Sequence, residues 1–556
     1  MTLFSSFLLA LFTTVALVPI FRRLAYALQV VDLPDERKIH QRPMARTGGL
    51  AMAVGFAVSG FLWAPRTPFF SALMLALLVI VGAGFYDDLQ NLGPLVKFGA
   101  QILAALVVVC WGGVRIVHLG FLLPEGRLLA AWAAIPLTVF VLVGVTNAIN
   151  LADGLDGLAG GVSVLSFVLI GVLAWQQGDW QLLVMITAML GSLFGFLRYN
   201  TFPATIFMGD AGSQMLGFVL GVTALKVTQI NPLLSPYLPL LLIGFPLLDT
   251  LTVMLERIHH GVSPFRADKN HFHHRLMRFG FRHSESVLMI YGLQSLMIGL
   301  AFWQRYAGDT MVLGSYLSIS GAILSSFYIL GHRGWRLRRL PEKGSLEARE
   351  MQVLLESAYR WHQLIKFLFR GLHLCLAGVL LLLVFSLGHM PESVGLLAGA
   401  GLLLLLVTIT WRPTWCEPVM RGLFYLLVPA MVYQAELGLR NSGSLPLDQA
   451  HWFLLISLGF CTMVVFALLV LRFTRRDGYR STPLDFLILV VGIMVPAVIP
   501  REMCGVVVGV VVVKILALFF VFEVIIAESR QPNRCLEAIL GGILLLVGGK
   551  SFLAGH

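Results

Sequence analysis

The sequence predicts an all-α fold, a polytopic integral membrane protein, and three observations carry that reading. First, 58% of the 556 residues are hydrophobic and only 12% are charged, far from the composition of soluble domains. Second, apolar runs of spanning length recur along the whole chain, whereas a transmembrane barrel would show short alternating strands. Third, most of the 40 lysines and arginines fall in every second loop between those runs, the bias that orients membrane helices.

The elements follow in chain order. The run 3–21 has no basic residue before it, Arg22 and Arg23 after it and no small-residue cleavage pattern, so it reads as an uncleaved first span with its N-terminus outside. Further spans are expected at 48–64, 68–86, 98–114, 130–147, 158–176, 181–197, 211–229, 235–254, 286–303 and 311–331, about eleven in all. About seven more are expected at 371–389, 394–410, 420–434, 451–471, 484–499, 503–526 and 536–554. Strict alternation then places the loops 22–47, 86–97, 147–157, 198–210, 255–285 and 332–370 on the cytoplasmic side. Three regions result: 1–331, which carries every polar motif; a basic linker at 332–370 whose second half reads as an amphipathic surface helix; and a membrane extension at 371–556. The net charge of +11 follows from orientation, so no nucleic-acid partner is expected. Six scattered cysteines with no paired spacing read as packing residues.

Polar motifs gather on that one face. Asp87 and Asp88 end the run 68–86. Asn147, Asn150, Asp153 and Asp156 lie in "NAINLADGLDGLAGG", Asn200 and Asp210 in "NTFPATIFMGDAGSQ", and Arg257, His271, His273 and His274 in "ERIHHGVSPFRADKNHFHH". A single acid there reads as a solvated carboxylate or a helix cap, but one face holding all of them does not. Hard oxygen donors, Asp with Asn, suit Mg²⁺, with Mn²⁺ as the alternative, and Mg²⁺ commonly shares its shell with substrate phosphates. On a helix, Asp153 and Asp156 would share one side. The histidines lack the spacing of a zinc site, and beside Arg257, Arg266, Lys269 and Arg275 they suit a diphosphate.

Five stretches, "VDLPDERKIHQRPMARTGGL", "GFYDDLQNLGPLVKFGAQ", "NAINLADGLDGLAGG", "FMGDAGSQMLG" and "SPFRADKNHFHH", in this order and spacing, resemble the polyprenyl-phosphate N-acetylhexosamine-1-phosphate transferases. The resemblance covers about residues 1–331. The form of the histidine run, with Phe272 inside it, is similar to the bacterial undecaprenyl-phosphate GlcNAc-1-phosphate transferases that start O-antigen and teichoic acid linkage synthesis. The muramoyl-pentapeptide transferase branch carries three consecutive histidines instead, and its reaction stands as the alternative.

The resemblance implies that a polyprenyl phosphate attacks the sugar-bearing phosphorus of a UDP-sugar and that UMP leaves. It assigns Asp87 and Asp88 to the reacting lipid phosphate and metal site, Asp210 to Mg²⁺, and Asn150, Asp153 and Asp156 to organising metal and nucleotide. Lys97 would hold the lipid phosphate; Arg257, His271, His273 and His274 would hold the diphosphate, with Asn147 and Asn200 as further substrate contacts. The expected partners are UDP-HexNAc, polyprenyl phosphate and the lipid bilayer, and the expected location is the bacterial inner membrane with the site on its cytoplasmic face. The extension 371–556 holds no comparable motif, only Lys514 and Glu523 on one span. It is expected to serve packing, homodimer formation or partner docking. An ion-coupled transporter is the rival class, and it would place its charges near mid-bilayer.

Overall fold

The computed structural model describes residues 2–32, 43–90, 92–124, 127–231, 233–263, 270–335, 337, 358–387, 392–411, 416–441, 449–473, 508–528 and 534–553. The chain divides near residue 339 into two compact units. Both are helical, and among the described residues nine helices are long and apolar enough to cross a membrane. The protein is an all-α, multi-pass membrane protein.

The first unit begins with α1 (Thr2–Ala27), followed by a two-stranded antiparallel hairpin, β1 (Val31–Asp32) and β2 (Met44–Ala45), that pairs Val31 with Ala45 and Asp32 with Met44. Then come α2 (Gly48–Trp63), α3 (Pro68–Gln90), α4 (Pro94–Cys110), α5 (Ala131–Ala152), α6 (Leu158–Gln176), α7 (Trp180–Asn200) and α8 (Gly209–Ile230). The apolar helix α6 is buried at every residue from Leu158 to Ala174. It packs against α7, α8 and α12 (His283–Trp303), as expected of a helix hydrophobic all round. At its edge, α1 lies on α7 and α2, while α8 lies on α5 and α3. The unit closes with α13 (Asp309–His332).

Several helix boundaries differ from the sequence expectation and carry polar residues into helices. α3 continues to Gln90, so Asp87 and Asp88 sit in its last turn rather than past its end. α4 starts at Pro94, with proline in its first turn, where a missing N–H costs nothing; Lys97 therefore belongs to a helix and not to a loop. The run expected at 235–254 is broken at Ile243 into α9 (Leu238–Leu242) and α10 (Gly244–His259). Backbone groups freed inside a membrane need partners. Gln294 Nε2 donates to Leu242 O at 2.8 Å, Ser166 Oγ donates to the same carbonyl at 2.6 Å, and Phe245 N donates to Gln294 Oε1 at 3.0 Å. α10 then runs on to His259, which puts Arg257 in its final turn. A short α11 (Phe272–Arg278) follows.

The second unit contains α14 (Ala358–Ser386), α15 (Glu392–Trp411), α16 (Cys416–Asn441), α17 (Gln449–Phe473), α18 (Val508–Glu528) and α19 (Arg534–Leu553). The expected surface helix before residue 371 is, from Ala358 onward, the continuous start of α14. The expected span 484–499 lies outside the described residues, as does most of 332–370. Lys514 pairs with Glu436 of α16, and both are buried. Glu523 does not face Lys514; it meets Tyr425 and, at 3.2 Å, Arg421, which also holds Glu417 at 3.0 Å.

Candidate active site

The acidic motifs converge at one end of the first unit, because the α3–α4, α5–α6 and α7–α8 connections all open there. α8 is the hub. Its first backbone amides have no partner within the helix, and Asp88 of α3 supplies one: Asp210 N donates to Asp88 Oδ1 at 3.0 Å and Ala211 N donates to Asp88 Oδ2 at 3.2 Å. Gly209 permits this approach. Its φ of +71° suits glycine, and a Cβ there would lie 2.6 Å from Asp88 Oδ2.

Asp210 points its side chain into the same space. Asn150 Nδ2 donates to Asp210 Oδ1 at 3.0 Å and to Ser213 Oγ at 2.7 Å, while Lys97 Nζ donates to Asp210 Oδ2 at 3.0 Å. The same ammonium pairs with the buried carboxylate of Asp87, whose Oδ1 also accepts from Leu92 N at 2.6 Å. Lys97 thus bridges the two acids it was expected to accompany. Asp153 caps α5 from just beyond its last turn. Burial, and then the charges of Asp210, Asp156 and Asp88, push its carboxyl up to about 7.

One turn deeper lies a layer that the sequence reading did not separate from the first. Asn147 Nδ2 donates to Gln101 Oε1 at 2.7 Å and to Val143 O at 2.8 Å, and Gln101 Nε2 donates to Gln214 Oε1 at 3.0 Å. Gln101 and Gln214 each stand four residues after Lys97 and Asp210, the same-face spacing of a helix. The three amides tie α4, α5 and α8 together beneath the acids. Asn147 therefore supports this layer through its amide.

Asp153 and Asp156 do not share a helix side, since α5 ends at Ala152 and α6 begins at Leu158. The glycine-rich turn between them sends the acids to different partners. Asp156 Oδ2 accepts from Ala204 N at 2.9 Å, while Asn200 Oδ1 accepts from Gly157 N at 2.9 Å and Asn200 Nδ2 donates to Ile206 O at 3.0 Å. Tyr291 of α12 donates to Gly157 O at 2.6 Å. Asp156 and Asn200 thus bind the α5–α6 turn to the α7–α8 loop.

The histidine run lies on this turn. The His273 ring is buried and packs on Gly154, where a Cβ would lie 2.5 Å from its Cε1 and Nε2. Burial, and then the nearby His274, push His273 down to about 3, so it stays neutral. His271 lies parallel to it, with ring centroids 5.8 Å apart, and the His274 ring lies 4.2 Å from it. Arg275 pairs with Glu256 of α10, and Arg257 is buried one residue further on. Arg266 and Lys269 lie outside the described residues. Asp249 of α10 escaped the sequence reading. Its Oδ2 stands 3.0 Å from His271 Nδ1, and its Oδ1 accepts from Phe272 N at 2.9 Å. The signal for it was a lone carboxylate in the apolar stretch "FPLLDTLTV".

The arrangement combines hard oxygen donors, a bridging cation and a histidine shelf at the end of a membrane bundle, chemistry suited to binding and transferring phosphoryl groups. Comparison with known proteins agrees with this class. The profile described as glycosyl transferase family 4 matches residues 70–228. The chain is 38% identical over 303 residues to a probable undecaprenyl-phosphate N-acetylglucosaminyl 1-phosphate transferase of Bacillus subtilis, across 53% of this chain and 82% of that protein. It is 36% identical to a decaprenyl-phosphate N-acetylglucosaminephosphotransferase of Mycobacterium leprae, across 48% and 75%. With the undecaprenyl-phosphate alpha-N-acetylglucosaminyl 1-phosphate transferase of Escherichia coli K12 it shares 29% over 341 residues, across 59% and 90%. With its acids, amides and histidines assembled on a polytopic helical frame and this extent of likeness to those transferases, the chain belongs to glycosyl transferase family 4.

Proposed function

We propose that the protein transfers GlcNAc-1-phosphate from UDP-GlcNAc to undecaprenyl phosphate and releases UMP, beginning a lipid-linked glycan. The observation that carries this reading is the convergence of Asp87, Asp88 and Asp153 on Asp210, with Lys97 bridging Asp87 and Asp210, at one end of the bundle. The names of the relatives support the choice of sugar and lipid. In the reaction, an oxygen of the lipid phosphate forms a bond to the sugar-bearing phosphorus. The bond from that phosphorus to the bridging oxygen breaks, and UMP departs with the electron pair.

Mg²⁺ suits the donor set. Among the described residues no three His, Cys, Asp or Glu side chains converge on one metal point, but this ion commonly takes one or two carboxylates and completes its shell with phosphates and water. Asp210 and Asp88 are our candidates, since a carboxylate has about four acceptor positions and neither uses all of them. When bound, the ion would neutralise charge on the phosphates and polarise the attacked phosphorus.

The chain's own groups do the rest. Lys97 moves from bridging two acids to holding the incoming lipid phosphate, which leaves Asp87 next to the attacking oxygen to take up its proton. Asn150 keeps Asp210 aimed at the site. The histidine shelf and Arg257 receive the diphosphate and stabilise the charge that gathers on UMP. We place this face on the cytoplasmic side of a bacterial inner membrane, as the distribution of Lys and Arg supports.

The test uses purified full-length protein with undecaprenyl phosphate and a panel of UDP-sugars, with Mg²⁺ or with chelator, beside Asp87→Asn and Asp88→Asn. Lipid product from UDP-GlcNAc that needs Mg²⁺ and is lost in both variants is expected. Product formed equally well in chelator would overturn the metal assignment, and retained activity in Asp87→Asn would overturn its role as base.

A further inference from the structure

We infer that Asp249, outside all five sequence motifs, is the positioning residue for His271 and sets which ring nitrogen meets the sugar-nucleotide diphosphate. The inference rests on the transferase reading above. Asp249 is buried on α10, 4% exposed, and a buried carboxylate needs partners on both oxygens. It has them: Phe272 N at 2.9 Å on Oδ1, and His271 Nδ1 at 3.0 Å on Oδ2.

The chemistry of those two contacts fixes the ring. A carboxylate only accepts, so Nδ1 of His271 carries a proton and donates it to Oδ2. Nε2 is then the nitrogen left for substrate. When a phosphate oxygen arrives there, the imidazole stands between two anions, and a proton on Nε2 makes a charge-assisted bond to the phosphate while Asp249 balances the ring from behind. Reversing the hydrogen bond at Nδ1 would hold the ring neutral with its proton on Nε2, so the donor to the phosphate would remain and its charge assistance would be lost.

The contact to Phe272 adds placement to orientation. Phe272 N is the first amide of α11, one of the orphan donors at a helix start. The same carboxylate that turns His271 therefore anchors the helix carrying His273 and His274. His271 and His273 lie parallel within 6°, and His273 lies against Gly154 of the acidic turn. Asp249 thus sets the height of the histidine shelf over the turn that holds Asp153.

Asp249→Asn separates the two contacts. Its amide oxygen can still accept from Phe272 N, but the group facing His271 becomes a donor. We expect kcat/KM for UDP-GlcNAc to fall by about tenfold, the range for replacing a charge-assisted hydrogen bond by a neutral one, with KM for undecaprenyl phosphate unchanged. UDP affinity of the full-length protein, read by calorimetry, should weaken in parallel. In a His271→Gln background, Asp249→Asn should add less than about twofold, because the pair acts as one unit. Losses that multiply in the double variant, or fall equally on both substrates with a lowered melting temperature, would show a helix cap only and overturn the inference. Wild-type protein that binds UDP but transfers no sugar phosphate would remove the transferase reading and leave the UDP titrations to decide on Asp249. Wild-type protein that does not bind UDP would overturn both.

Discussion

Gly154→Ala should inactivate the site from a position that solvent reaches. Gly154 is exposed and its φ is not positive, so alanine fits the backbone. The obstacle is one side chain. The new Cβ would lie 2.5 Å from both Cε1 and Nε2 of His273, while carbon atoms in contact need about 3.5 Å. His273 must therefore retreat by about 1 Å, and it has little room: the residue is 3% exposed and its ring contacts both His271 and His274. A misplacement of that size costs on the order of a hundredfold in rate where chemistry depends on alignment, and overpacking costs about 1–3 kcal/mol. The assay is UMP release at saturating undecaprenyl phosphate across a UDP-GlcNAc series, with melting temperature measured on the same preparation. The expected result is a roughly hundredfold loss in kcat/KM with at most a few degrees lost in melting. An alanine variant with wild-type kinetics would refute the packing of the histidine shelf on this turn.

Four further outcomes follow from the geometry. Lys97→Met removes the cation between Asp87 and Asp210, and turnover should fall by about 10²-fold or more; a variant with only KM for the lipid raised would limit Lys97 to binding. Asp156→Ala strands the amide of Ala204, and unfolding in detergent should show a cost of about 1–3 kcal/mol, whereas an activity loss without a stability loss would return Asp156 to the chemistry. Lys514→Met leaves Glu436 buried without its partner, so thermal stability should drop by about 3–5 kcal/mol and largely recover in Lys514→Met/Glu436→Gln. Asp153 has a folded value of about 7 against 3.8 in the free residue. Its contribution to stability is full below 3.8 and is lost as pH rises through 7. Without Mg²⁺, Asp153→Asn should therefore flatten the fall in melting temperature between pH 4 and 8, and an unchanged slope would contradict the charge cluster.

Much of this was legible because membrane helices announce themselves by composition. Water is absent from the bilayer core, so spans such as α1, α3 and α6 must be apolar over a set length, and acids that break the pattern stand out. That is how Asp87, Asp88, Asp153 and Asp210 were found. Their partners were less visible. Asp156 and Asp153 sit three residues apart, and only the turn between α5 and α6 separates their tasks. Asn200 resembles a site residue in sequence, yet its amide bridges two backbone segments. Gln101 and Gln214 are neutral amides within apolar helices, and nothing in a linear reading brings α4 and α8 together. Asp249 was hidden for a different reason. Its partner lies 22 residues away, past the end of α10, so the pairing depends on how the chain turns back after that helix.

In the second unit, Lys514 and Glu523 lie on one span, but nine residues separate them and turn them to different sides of α18. Each finds its partner on α16 instead.

The most direct test of the central claim is a transfer from UDP-GlcNAc labelled both in the sugar and in the sugar-bearing phosphate, using full-length protein, undecaprenyl phosphate and Mg²⁺. The account predicts that both labels enter the lipid in equal amounts, with one UMP released for each. Sugar label alone in the lipid, with UDP released, would mean glycosyl transfer without its phosphate and would contradict the account; so would UMP released with no lipid product.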